Sequence, residues 1–499
     1  MKRLLLIAII CAAGAEGQEI PKVWDDAAIA SITLPLAVPS ATPVQISSKY
    51  YYGIPVRPVY KNYPVYRPDR EPAGYLNWLQ QQDPQNAFDA AKLRTQEDWI
   101  RAGELIFDAP IACGHIGPGV DELYLRLPDW YRATGAPVLE DGSLPFYRYV
   151  IRQKGKVEIG VLSCGMCHTR VMPDRSVIKG AQGNFPFDRA VAWDLENVPF
   201  YMALQNRAFF ARRFGQMFFS APWIQPPEDL SFQQILAHLR AIPPGVLGRH
   251  GTSSRTPAKV PDLIGIQDRR YFDATGLTQH RDIGDLMRYA AMNQDTDLLS
   301  RYGNFVPREA VPLLLGKAPA DPAKLTQGRY ADEQLYALAL FLYSLHPPAN
   351  PNQPDAFTAA GNKVFEREGC GACHTPPLYT NNALTPAVGF QPPADHAKKF
   401  TVMPIVVGTD PGLALKTRRG TGYYKVPSLK GLWYRGPIEH NGSVASLEDW
   451  FDPRRLRDDY VPTGFKGYGV TTRAVKGHEF GLKLSAEDRR ALIAFLKTL

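Results

Sequence analysis

The chain has 499 residues, 45% of them hydrophobic and 21% charged, which places it in the globular range with enough length for two or three domains. Its formal charge of +8 is scattered along the chain instead of clustered, so a nucleic-acid-binding reading is excluded. Pro and Gly number 44 and 41, which points to long ordered connections more than to disorder.

The start reads as a targeting segment. Lys2 and Arg3 precede an apolar run from Leu4 to Ala13, and small residues end near Ala15-Glu16-Gly17. A positive n-region, a short h-region and a cleavage site before Gln18 predict a signal peptide over 1–17, and with it a periplasmic or secreted protein. No later segment reaches the roughly 18 apolar residues of a membrane span, so no membrane span is expected.

Residues 18–94 are rich in Pro and Tyr, with seven tyrosines from Tyr50 to Tyr75 and no helical period. They predict an extended arm lying on the body, either covering a core edge or docking a partner. Thr95 with Asp98 forms a capping-box-like start for a helix through Trp99, Ile100 and Leu105. From Asp332 to Leu345 the leucines 335, 338, 342 and 345 share one helical face. A proline-rich stretch from Pro347 to Pro354 ends that helix and serves as a linker. Ala356 to Gly369 predicts another helix, and Ser485 with Asp488 caps a last one carrying Leu492, Phe495, Leu496 and Leu499.

Two identical patterns carry the chemistry: Cys164-Gly165-Met166-Cys167-His168 and Cys370-Gly371-Ala372-Cys373-His374. Cysteines three apart lie about one helical turn from each other, so their sulfurs reach both vinyl groups of one haem. The following histidine then supplies an axial imidazole to the iron. Structural zinc would use four ligands per site, and a thioredoxin-type pair would be expected once, after a strand. Two covalently bound c-type haems are therefore expected, and export to an oxidising compartment agrees with them. Cys113 remains alone and reads as a buried small hydrophobe.

An internal repeat reinforces the duplication. Lys259-Val260-Pro261-Asp262-Leu263 echoes Lys425-Val426-Pro427-Ser428-Leu429. The expected fold is mainly α: two tandem cytochrome c-type haem domains with long loops, spanning 95–348 and 349–499, preceded by the arm.

With both haem motifs, Val426-Pro427-Ser428-Leu429 and His440-Asn441-Gly442-Ser443, the chain resembles the bacterial di-haem cytochrome c peroxidase superfamily over roughly residues 95 to 499. Val407-Gly408-Thr409-Asp410-Pro411 and Gly477-His478-Glu479-Phe480 resemble most its rubber oxygenase branch. That branch implies an N-terminal haem that activates dioxygen and a six-coordinate second haem. The peroxidases' axial methionine position is Arg454 here, and no methionine follows Met403. The histidines left are His396, His440 and His478; the resemblance favours His478 as iron ligand, against an exposed loop histidine, and His440 reads as a residue near the haem edge or one holding a loop. The peroxidases' distal histidine falls on Asn184, their acidic residue near Met292 to Asp295, and their inter-haem tryptophan on Phe272. These departures argue against peroxide cleavage by a positioned base. For the first haem, Leu286 to Met292 is either a distal wall or helix core, and Tyr289 or Met292 is a candidate sixth ligand. Arg269-Arg270 and Arg418-Arg419 read as propionate donors or as solvated loop charges. Trp433-Tyr434 reads as core packing or as part of an electron path.

The expectation is an exported oxidoreductase with its first haem open to dioxygen or peroxide, acting on an apolar organic substrate, with a small redox protein as electron partner. A peroxide-reducing enzyme, a non-enzymatic di-haem electron carrier and a haem-based sensor are its rivals.

Overall fold

The computed structural model describes residues 19–38, 42–113, 125–197, 231–248, 255–303, 306–309 and 328–499; the expected signal peptide at 1–17 lies outside them. The Pro/Tyr-rich segment is not the extended arm expected from its lack of period. It holds three short helices, α1 (Asp26–Ala30), α2 (Ser48–Gly53) and α3 (Tyr75–Gln80), and a strand, β1 (Asn62–Tyr66). Helices of five or six residues are too short to display a period, which is why the sequence hides them. They fill cores instead of lying on them. Trp24 and Tyr51 pack with Ile106 and Phe107, while Val65 and Leu79 pack with Phe146 and Tyr149.

The four long predicted helices form two crossed pairs. In the first half, α4 (Gln96–Asp108) starts at the Thr95/Asp98 capping box and packs on α5 (Asp332–Ser344). In the second, α6 (Ala356–Arg367) starts at an Asp355/Thr358 capping box and packs on α7 (Ala486–Thr498). Each crossing is closed by a glycine. A Cβ on Gly103 would sit 2.0 Å from the Ala337 carbonyl oxygen, and one on Gly361 would sit 2.0 Å from that of Ala491. Phe341 and Phe495 occupy matching positions, 2.7 and 2.8 Å from those Cβ points. The Lys-Val-Pro repeat thus has a counterpart in helix packing.

One element was not expected of a mainly α chain. Between α4 and the first cysteine motif, β2 (Ala112–Cys113), β3 (Ser143–Gln153) and β4 (Lys156–Val161) join β1 in an antiparallel sheet of order β1-β3-β4-β2. Tyr63 on the arm faces Tyr149 across the β1–β3 pair. The β3–β4 turn is Lys154-Gly155, where Gly155 takes φ 83° at no steric cost. Among the described residues no helix is long and apolar enough to cross a membrane.

Candidate functional site

The second cysteine motif follows directly from α6. Gly369, at φ 70°, turns the chain off the helix end, and Cys370–Ala372 forms a single 3-10 turn. His374 is thereby buried with its Nδ1 3.1 Å from the Pro427 carbonyl oxygen and 3.2 Å from that of Tyr379. A proton held on Nδ1 by a backbone carbonyl leaves Nε2 bare, the tautomer a metal ligand needs.

His478 faces it. The two imidazole centroids lie 6.3 Å apart. Two metal–nitrogen bonds of about 2 Å, plus roughly 1.1 Å from each nitrogen to its ring centre, span about 6 Å. The gap therefore accommodates one metal ion between the rings. Around it lies a cavity of about 340 Å³, whose walls include both motif cysteines, Leu429, Phe451 and Leu492. The His478 Nδ1 is buried without a hydrogen-bond partner. Burial pushes the His478 imidazole down to about 4 and lowers that of His374, so both rings are neutral at ordinary pH.

The loop that brings His478 there is held from behind. His478 sits at φ 46°, a strained conformation for a non-glycine residue. Fully buried Arg455 donates to the carbonyls of Val475, Gly477 and His478, at 2.6, 2.9 and 2.8 Å. Gly477 lies against Gly408 so tightly that a Cβ would come 2.3 Å from the Gly408 carbonyl carbon. The two segments singled out by the rubber oxygenase resemblance are thus the two sides of one contact.

The other candidates separate cleanly. His440 lines the cavity, but its Nδ1 is taken by Glu439 and its Nε2 lies 3.1 Å from the Tyr424 hydroxyl. With both nitrogens engaged, it belongs to the wall. His396 bonds the Tyr423 hydroxyl at 2.9 Å, outside the cavity lining. Arg454 is paired with Asp452 at the surface. Met403 lies beside the motif, its Sδ 3.9 Å from the Cys373 sulfur.

The first motif repeats this logic. Cys164–His168 is a helical turn capped by Ser163, and the His168 Nδ1 lies 3.0 Å from the Pro261 carbonyl oxygen. Pro261 and Pro427, equivalent in the repeat, thus orient the two histidines in the same way. Sequence reasoning noticed the repeat and missed this role. Burial pushes His168 down to about 4. Cys164 packs beside the core of Phe107 and Leu335, and Cys167 beside that of Phe146 and Phe185.

Several readings around this motif are settled by packing. Asn184 brackets Val171, accepting from its N–H at 3.0 Å and donating to its carbonyl at 2.8 Å, so it staples a strand. Leu286, Met287, Ala291 and Met292 are buried in the cluster against which Cys164 packs. Phe272 joins that core, while its neighbour Tyr271 points to the cavity of the second site, the alternation a strand imposes. The Asp295 side chain lies outside the described residues. Arg418 and Arg419 are neither solvated nor at the cavity: both are buried and paired with Asp297. Arg269 does line the cavity, whereas exposed Arg270 bonds Thr401. Cys113, half-buried on β2, has its thiol pushed up to about 11 by burial. Tyr434 bonds Asp262 at 3.1 Å and packs with Ile264.

Among the described residues, no group of three His, Cys, Asp or Glu side chains converges as a bare metal ion would need. Two facing imidazoles do converge, which suits an ion whose other ligands come from a macrocycle. No family model matches the chain, and no curated protein matches it. Among solved structures, a hydrazine synthase from Kuenenia stuttgartiensis aligns with 60% of this chain and 92% of its own, at 15% identity and TM-score 0.28. A MauG-like protein associated with microbial copper homeostasis aligns with 58% of this chain and 89% of its own, at 17% identity and TM-score 0.30. Neither likeness is close enough to carry an argument, and neither supports the rubber oxygenase branch.

Proposed function

We propose that the protein is a periplasmic or secreted c-type di-haem oxidoreductase built from two tandem haem domains. Cys370 and Cys373 would tether one haem, with His374 and His478 as its two axial ligands. Cys164, Cys167 and His168 would hold the other, the site open to dioxygen or peroxide. The observation that carries the reading is the 6.3 Å gap between His374 and His478 beside a cysteine motif. Bound in these places, the irons would supply one-electron chemistry and the activation of a small oxidant.

The chain's own contributions are specific. The Pro261 and Pro427 carbonyls fix the tautomer of His168 and His374. Arg455 holds the strained loop that presents His478. Tyr271 and Phe272 stand between the second cavity and the core beside Cys164. Absence of a histidine at position 184 favours oxidation of an apolar organic substrate over hydrogen peroxide reduction, with a small redox protein as electron partner.

The test is the mass of the denatured protein, produced in a host that attaches c-type haem. Two covalent haems are expected, with one lost in Cys164→Ser/Cys167→Ser and the other in Cys370→Ser/Cys373→Ser. An unmodified polypeptide mass would overturn the reading.

A further inference from the structure

The same cavity also has cationic residues in its lining. Lys259, Arg269, Lys425 and Arg435 all line it, against the carboxylates of Asp262 and Glu439. Those two carboxylates are already engaged. Asp262 accepts from the Tyr434 hydroxyl at 3.1 Å and lies 3.8 Å from Arg435, and Glu439 pairs with His440 and accepts from the Asn441 N–H at 3.0 Å. Among the described residues the Lys259 ammonium has no hydrogen-bond partner or ion pair. Lys425 reaches only the Tyr271 carbonyl, at 3.3 Å.

Such groups are costly as they stand. An ammonium partly withdrawn from water and without a direct ion pair loses solvation that an anion would restore. Burial and the neighbouring Arg435 and Arg269 charges push Lys259 down to about 8 and Lys425 down to about 7, although Glu439 and Asp262 pull Lys259, and Asp273 pulls Lys425, the other way. The two lysines are also the same residue of the internal repeat. Each stands two positions before the proline whose carbonyl orients a motif histidine. Ammonium groups from both halves of the chain therefore enter one cavity from equivalent places.

We infer that Lys259 and Lys425, flanked by Arg269 and Arg435, form one shared carboxylate-binding site on which the propionates of both haems converge. The inference rests on the di-haem reading and adds what that reading leaves open: the edges of the two macrocycles that face each other. The chemistry is charge-assisted hydrogen bonding from ammonium and guanidinium to carboxylate, in a setting of low dielectric where it is strongest.

The test uses the holoprotein and its Lys259→Met and Lys425→Met variants. The mass of the denatured protein is read first, so that failure of the di-haem reading shows as missing haem. Potentiometric titration followed optically then gives both midpoint potentials. A positive charge beside a propionate favours the reduced iron, so its removal lowers the midpoint. Lys425→Met is expected to lower chiefly the midpoint of the His374 haem, and Lys259→Met that of the His168 haem. Lys→Arg at either position keeps the charge and is expected to leave the midpoints near those of the parent. Gln variants read the same way if Met impairs folding. Variants that carry two haems with both midpoints unchanged would overturn the inference.

Discussion

His478 has the most exposed role of any single residue in the account. Its ring stands 6.3 Å from that of His374, whereas His440 has both nitrogens engaged and His396 lies outside the cavity lining. His478→Ala is expected to convert the second haem from low-spin to high-spin and to let added imidazole restore the low-spin spectrum. His440→Ala, whose ring is tied to Glu439 and Tyr424, is expected to leave the spin state unchanged. A low-spin spectrum surviving in His478→Ala would remove the ligand assignment. Asp297 makes a second prediction at this scale. Burial pushes its carboxyl up, but the Arg419 and Arg418 charges and the Tyr302 hydroxyl outweigh that and hold it well below the usual carboxylate range. Removing one partner of such a buried pair costs about 3–5 kcal/mol, so Asp297→Ala is expected to lower stability by about that much in denaturant titration. A depressed folded-state value means the contribution is present at neutral pH and fades as the pH falls below about 4. The gap between parent and variant should therefore narrow in acid; a gap constant with pH would contradict the pairing.

At the scale of elements, the two helix crossings are the most sensitive joints. An added methyl at Gly103 or Gly361 has nowhere to go, because the atom it meets is backbone in both cases. Overpacking of this kind costs about 1–3 kcal/mol, so Gly103→Ala and Gly361→Ala should each lower the unfolding midpoint. Unchanged midpoints would mean the crossings are looser than described. These helices were legible in the sequence because they are long, and Thr95 and Ser485 cap as their spacing suggests. The sheet was not read. Its signals were present, in the aromatic and β-branched run Phe146 to Ile151 and the Lys154-Gly155 turn, but they stand among prolines that read as loop. The arm was misread for a related reason, since its order comes from tertiary burial of Trp24, Tyr51 and Leu79 and not from local period.

For the whole molecule, the two cysteine motifs were plain from spacing, whereas everything that shapes their surroundings needed the fold. The Lys-Val-Pro repeat was visible, but a proline carbonyl bonding a histidine across 93 or 53 residues leaves no local signature. Arg455, buried under the His478 loop, likewise carries no local signal of its role. The arm ties both cores of the first half together and makes no part of the core formed by α6 and α7. A chain lacking residues 19–94 is therefore expected to expose the first half to limited proteolysis while the second haem keeps its spectrum; equal loss in both halves would contradict that division.

The central claim is one closed iron and one open iron, and electron paramagnetic resonance of the purified ferric protein reads it directly. A low-spin signal of bis-imidazole type is expected from the His374/His478 site beside a high-spin signal from the His168 site, the latter alone responding to added azide or peroxide. Two low-spin signals indifferent to added ligand would contradict it, and the protein would then be an electron carrier.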